Sequence, residues 1–164
     1  MDKHRRGTVR IVGVDPGTHR VGYALIERDG VEIQLINAET MTIPSGRSAE
    51  RLHTLEVLLR ERLERDKPDA VCLEELFFAK NAKTALAVAE ARGIILLTAG
   101  RLVRSIWEYT PLEVKMAITG YGRADKSQVR QMVQRTLPNA AMPKGDDAID
   151  AIAIALTGLY SQRW

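Results

Sequence analysis

One cysteine in 164 residues leaves no disulfide to staple the chain, and three histidines supply no Cys and His cluster to hold zinc. A staple is unnecessary, because a chain of this length usually buries about 70% of its unfolded surface. The lone Cys72 sits in the apolar run Ala70 to Leu73 and reads as a small core residue in a reducing compartment. No apolar segment approaches the roughly 20 residues that span a bilayer. The opening MDKHRRGT lacks the apolar stretch of a signal peptide, so the expectation is a soluble, cytoplasmic protein. Repeats, low-complexity tracts and linkers are also missing. Residues 1–164 therefore read as one domain, with 1–8 as a flexible N-terminal extension. Charge of one sign is not in great excess: 24 Lys and Arg against 21 Asp and Glu give +3 and a pI near 9.2. That balance is compatible with a nucleic-acid partner without demanding one.

What is present is organised around VRIVGVDPGTHRVGYALI, residues 9–26. Val9, Ile11, Val12 and Val14 form a β-branched run, Asp15-Pro16-Gly17-Thr18 stops it, and a second run follows from Val21 to Ile26. This predicts a hairpin with Asp15 at the end of a buried strand, the turn held by proline's fixed φ and a left-handed Gly17. Asp29 and Gly30 divide the second run from a third, Val31 to Met41, completing an antiparallel meander. Leu52, Leu55, Leu58, Leu59 and Leu63 recur at helical spacing between Ser48 and Arg65, and Lys67-Pro68-Asp69 ends that helix. Ala70 to Leu73 suits a strand buried on both faces. An alanine-rich helix from Asn81 to Gly100 follows, whose Gly93 suggests a close backbone approach. Leu102 to Tyr109 reads as a fifth strand. Thr110-Pro111 should open a short helix through Val114 and Met116, and further helices are predicted over Lys126 to Leu137 and Asp146 to Leu159. Three strands, then strands alternating with helices, imply an α/β protein: a mixed five-stranded sheet with helices on both faces.

Acids stand at the ends of buried strands, Asp15 after the first and Glu74 after the fourth, where reactive groups collect in such sheets. Asp147 and Asp150, at i and i+3, share a face near the start of the last helix. Each has an ordinary alternative: Asp15 as a turn former, Glu74 as a solvated strand end, the Asp pair as partners of the helix dipole. Taken together, four carboxylates repel unless cations neutralise them, and all-oxygen ligation suits Mg²⁺ or Mn²⁺. Two such ions about 3.5 to 4 Å apart make a clamp for in-line attack on a phosphodiester.

The blocks VGVDPGTHRVGYALI, CLEELFFAKNAKTALAVAEARG, EYTPLEVKMAITGYGRADKSQVRQMV and DDAIDAIAIAL resemble, in order, those of the RuvC family of Holliday junction resolvases, and they span nearly the whole chain. The resemblance implies an RNase H-like fold and a homodimer. It also implies Mg²⁺-dependent paired nicking of four-way DNA junctions in recombination and repair, alongside the branch-migration proteins RuvA and RuvB. It places catalytic, metal-binding carboxylates at Asp15, Glu74, Asp147 and Asp150, with two Mg²⁺ per subunit and Mn²⁺ as a substitute. A base-stacking aromatic falls on Phe77, and basic residues near the cut strand on Lys115 and Lys126. Lys80 and Arg123 join these as expected phosphate contacts. Phe78 is the alternative stacking ring, Glu75 the alternative strand-four ligand, and Asp146 and residues 1–8 gain no role. Three other functions compete. DPGTHRVG also resembles the first phosphate loop of actin-like ATPases, but 164 residues leave no room for their second domain. The others are a nuclease of structured RNA and a junction-binding protein without catalysis, and the complete acid set argues against the latter.

Overall fold

The computed structural model describes residues 7–75, 82–162 and 164, and side chains of the long second helix from residue 85 onward. Strand β1 (Thr8–Asp15) lies at the centre of the sheet. Its Ile11 belongs to the core on one face, and Val12 and Val14 to the core on the other. All three are fully buried, as expected of a strand covered on both sides. Strands β2 (Arg20–Asp29) and β3 (Glu32–Thr42) continue the sheet antiparallel, while β4 (Ala70–Glu74) and β5 (Ser105–Tyr109) extend it in parallel, giving the order β3-β2-β1-β4-β5.

Helices α1 (Ser48–Asp66) and α2 (Ala82–Leu102) cover the Val12 face through Leu55, Leu59, Leu63, Ala91, Ile95 and Ala99. Helix α1 stops where Lys67 turns left-handed, φ 43°, and its N–H donates to Leu63 O. Helices α3 (Pro111–Thr119), α4 (Lys126–Thr136) and α5 (Asp146–Ser161) cover the opposite face. Thr110 and Asp125 each cap the following helix in a reciprocal capping box. This is the RNase H-like α/β sheet that the sequence led us to expect. Cys72 is buried, as a core residue should be, and among the described residues no helix is long and apolar enough to cross a membrane.

Four local expectations are corrected. Strand β5 begins at Ser105, since Leu102 still belongs to α2 and Val103 N donates helically to Ala99 O at 2.8 Å. Thr8 is not part of an extension, because it pairs with Asp29 in the sheet. Gly17 is absent from the positive-φ residues. Its requirement is space, as a Cβ there would lie 2.0 Å from Arg20 O. A Cβ on Gly93 would meet nothing within 4 Å, so the close approach expected there does not occur among the described residues.

The close approaches occur instead beneath α5. A Cβ on Gly13 would lie 2.0 Å from Ala151 O, one on Gly22 2.0 Å from Asp147 O, and one on Gly158 2.2 Å from Cys72 Sγ. Glycine at these places lets α5 rest on the sheet at backbone distance. The helix's first turn is thereby laid across the end of β1.

Candidate active site

Strand parity aims the first two acids. Gly13 lies under α5, so Asp15, two residues on, faces the same way. Cys72 likewise touches α5 through Gly158, so Glu74 shares that face. Strands β1 and β4 are parallel neighbours, with Gly13 opposite Cys72 and Val14 opposite Leu73. Continuing that register sets Asp15 beside Glu74. Gly22 pairs with Asp15 across β1 and β2 and supports the backbone of Asp147, which brings in the start of α5.

The electrostatics agree with this convergence. Burial first, then the charges of Asp150, Glu74 and Asp147, push the Asp15 carboxyl from 3.8 up to about 8, against a smaller pull from Lys126. Glu74 is raised by burial and then by Asp150, while Lys126 and Lys115 pull it down. Burial also raises Asp150, opposed by Lys126. Lys126 Nζ stands 3.3 Å from Asp150 Oδ2, and that carboxylate raises the lysine in return. Lys126 thus lies against Asp150, and Lys115 is near enough for its charge to lower Glu74. Arg123 is exposed on the α3–α4 loop. Phe77, Phe78 and Lys80 lie outside the described residues. Glu75 is exposed, and its N–H donates to Tyr109 O at 2.8 Å.

Three contacts escaped the sequence reading. Arg20 Nε donates to Asp147 Oδ2 at 2.7 Å. Asp146 gains a partner, lying 3.7 Å from Arg130 Nη1, and Arg130 Nη2 also donates to Pro143 O at 2.8 Å. Arg20 directly follows the DPGTH turn and Arg130 is one turn beyond Lys126, but nothing local in either pattern names a partner.

Among the described residues no three acids already form a ready-made metal cage, and two of the four are paired with cationic side chains. The donor set nonetheless fits hard divalent ions, being carboxylate oxygen without thiolate or imidazole. A carboxyl raised to about 8, by burial first and then by neighbouring acids, is a group whose ionisation a cation would restore. The consequence for stability has a definite sign. Between pH 4 and 8 the folded protein holds a proton on Asp15 that the unfolded chain releases, so in chelator stability should fall as pH rises through that window. Saturating Ca²⁺ should flatten the fall. Thermal melts at a series of pH values measure it, and a metal-free Tm that climbs from pH 5 to 8 would contradict the arrangement.

Residues 11–158 match the family model described as crossover junction endodeoxyribonuclease RuvC. The protein of that name from Chloroflexus aggregans is 45% identical over 154 residues, covering 93% of this chain and 94% of its own. That from Moorella thermoacetica is 46% identical over 155 residues, covering 94% and 93%. Among solved structures, T. thermophilus RuvC in complex with Holliday junction substrate superposes with a TM-score of 0.86 at 31% identity, covering 93% of this chain and 94% of that one. A model match over nearly the whole chain, and relatives at this identity, carry the same conclusion as the converging acids: the chain belongs to the RuvC family of crossover junction endodeoxyribonucleases.

Proposed function

We propose that this protein resolves Holliday junctions by paired, symmetric hydrolysis of two DNA strands, in homologous recombination and DNA repair. The observation that carries the reading is the Asp15 carboxyl, driven up to about 8 by burial and by Asp150, Glu74 and Asp147. Acids so pressed together suit a pair of Mg²⁺ ions, with Mn²⁺ able to substitute. When bound, the ions supply Lewis-acid activation of water and neutralise charge developing on the phosphodiester. Asp15, Glu74, Asp147 and Asp150 are the residues that would hold them. Lys115 and Lys126 hold the phosphate of the cut strand against the acids, with Lys80 and Arg123 further along the backbone. Phe77 stacks on an unpaired base at the junction centre. The products carry a 3′-hydroxyl and a 5′-phosphate and are ready for ligation. RuvA and RuvB are the partners, and the cytoplasm the place of action.

Paired cutting of a two-fold symmetric substrate calls for a two-fold dimer. On α2, Ala85 and Ala89 are half-buried. The exposed stripe runs beside them through Leu86, Glu90, Gly93 and Leu97, with Leu86 65% and Leu97 51% exposed. Gly93, with open space around it, is where the partner's helix comes nearest. Incubation with a four-way DNA junction, the matching duplex and a four-way RNA tests the function. Paired, ligatable nicks in the DNA junction alone are expected, and preferential cutting of RNA, or binding without cutting, would overturn it. Leu97→Glu should give a monomer that no longer couples the two nicks. A monomer of this variant that still cuts in pairs removes the dimer from the account.

A further inference from the structure

Arg20 opens β2, five residues after Asp15, and is fastened to an acid of the site. Its Nε lies 2.7 Å from Asp147 Oδ2, yet 61% of its side chain is exposed, against 28% for the aspartate. A pair this open to water is readily exchanged for another partner. The surroundings leave the guanidinium room. Gly145, the N-cap of α5, carries no side chain, and a Cβ there would come 3.6 Å from Arg20 Nη2 and 3.3 Å from Thr40 Oγ1. Next to Arg20, His19 Nε2 stands 3.5 Å from Arg51 Nη1, which brings a second guanidinium, from α1, beside the β1–β2 loop. Lys126 faces Asp150 at 3.3 Å in a comparable pairing. Asp147 and Asp150 are therefore each matched by a cation on a different element, and only Lys126 had been assigned to the site.

We infer that Arg20 is a positioning residue with two successive partners: it holds Asp147 while the site is metal-free, and binds a backbone phosphate of the substrate once Asp147 turns to a divalent cation. This rests on the two-ion reading above. A guanidinium is suited to both partners, since its fork of N–H donors fits carboxylate and phosphate alike. Before DNA arrives, arginine and metal compete for one carboxylate, which weakens metal binding to the free protein. With DNA present the phosphate takes the arginine, so metal and junction each favour the other, and the coupling is reciprocal.

The test uses the full chain, Ca²⁺ as a probe and a four-way DNA junction. The variants are Arg20→Gln, Arg20→Lys and, as a control of equal charge change, Arg60→Gln on α1, where Arg60 pairs with Glu56. By calorimetry without DNA, Arg20→Gln should bind Ca²⁺ at least about threefold more tightly than the parent, because the competitor is gone. With the junction in Ca²⁺ its affinity should fall about 5- to 10-fold, and the slope of log affinity against log salt should shrink by about one. Arg20→Lys keeps the charge but loses the planar fork, so it should keep the parental slope yet bind Ca²⁺ without DNA more tightly than the parent. A Ca²⁺ affinity equal to the parent's in this variant would overturn the inference even if Arg20→Gln folds poorly. Arg60→Gln should match the parent in both assays. If the parent binds Ca²⁺ and Arg20→Gln matches it in affinity and slope, Arg20 is only a surface ion pair and the inference falls alone. If the parent binds no Ca²⁺, the inference falls together with the two-ion reading.

Discussion

Asp15→Asn should fold, bind a four-way junction at pH 7 in chelator as tightly as the parent, and cut it at least about 100-fold more slowly in Mg²⁺. That slowing corresponds to about 2.7 kcal/mol of lost transition-state stabilisation. Asparagine keeps the size of the side chain at the end of β1 but cannot serve two cations as a carboxylate does. From the sequence alone, four adjacent negative charges would oppose the DNA phosphates, so removing one should leave binding as tight as the parent's or somewhat tighter. The structure favours the first of these at pH 7. With its carboxyl raised to about 8, Asp15 is mostly protonated at pH 7 in the absence of metal, and Asp147 and Asp150 are paired with Arg20 and Lys126. The substitution then removes almost no charge, so binding should not move. At pH 9 the parent carboxyl ionises and the variant should become the tighter binder in chelator. Binding isotherms at the two pH values and single-turnover cutting in Mg²⁺ decide it. Cutting at near the parental rate would leave Asp15 as a turn residue and end the two-ion account.

Gly22→Ala should lower stability by about 3 kcal/mol or more, a fall in Tm of roughly 6 to 12 °C for a chain of this size. The added Cβ would stand 2.0 Å from Asp147 O and 2.6 Å from its carbonyl carbon. These are helix backbone atoms, so no side-chain rotation relieves the contact. Either β2 or the first turn of α5 has to retreat, and the turn carries Asp147. The molecules that do fold should therefore cut at least about 10-fold more slowly, since small displacements at a reacting centre are expensive. Melting curves and activity per folded molecule measure the two effects separately. Parental values for both would mean that α5 does not rest on β2 as described.

Much of this protein is readable from local pattern. The apolar runs Val9 to Val14 and Val21 to Ile26 reflect strands covered on both faces, the leucines at helical spacing in 48–65 reflect burial of one helix face, and β2 and α1 follow them closely. Thr110 with Glu113 and Asp125 with Gln128 mark helix starts through contacts three residues apart. The four acids are legible for the same reason, each marking the end of a strand or the start of a helix. What the local pattern could not supply is which distant atoms meet. Gly93 and Gly22 look alike as glycines within apolar stretches, and only the packing of α5 gives one a backbone neighbour and leaves the other in open space. Arg20 lies 127 residues from Asp147 along the chain, and that pairing exists because β2 and α5 share a face of the sheet. The ionisation of Asp15 belongs to the same class. The acid at the end of β1 could be placed from sequence, but the proton on that carboxyl is a property of burial and of three acids gathered from other segments, and burial is decided by tertiary structure alone.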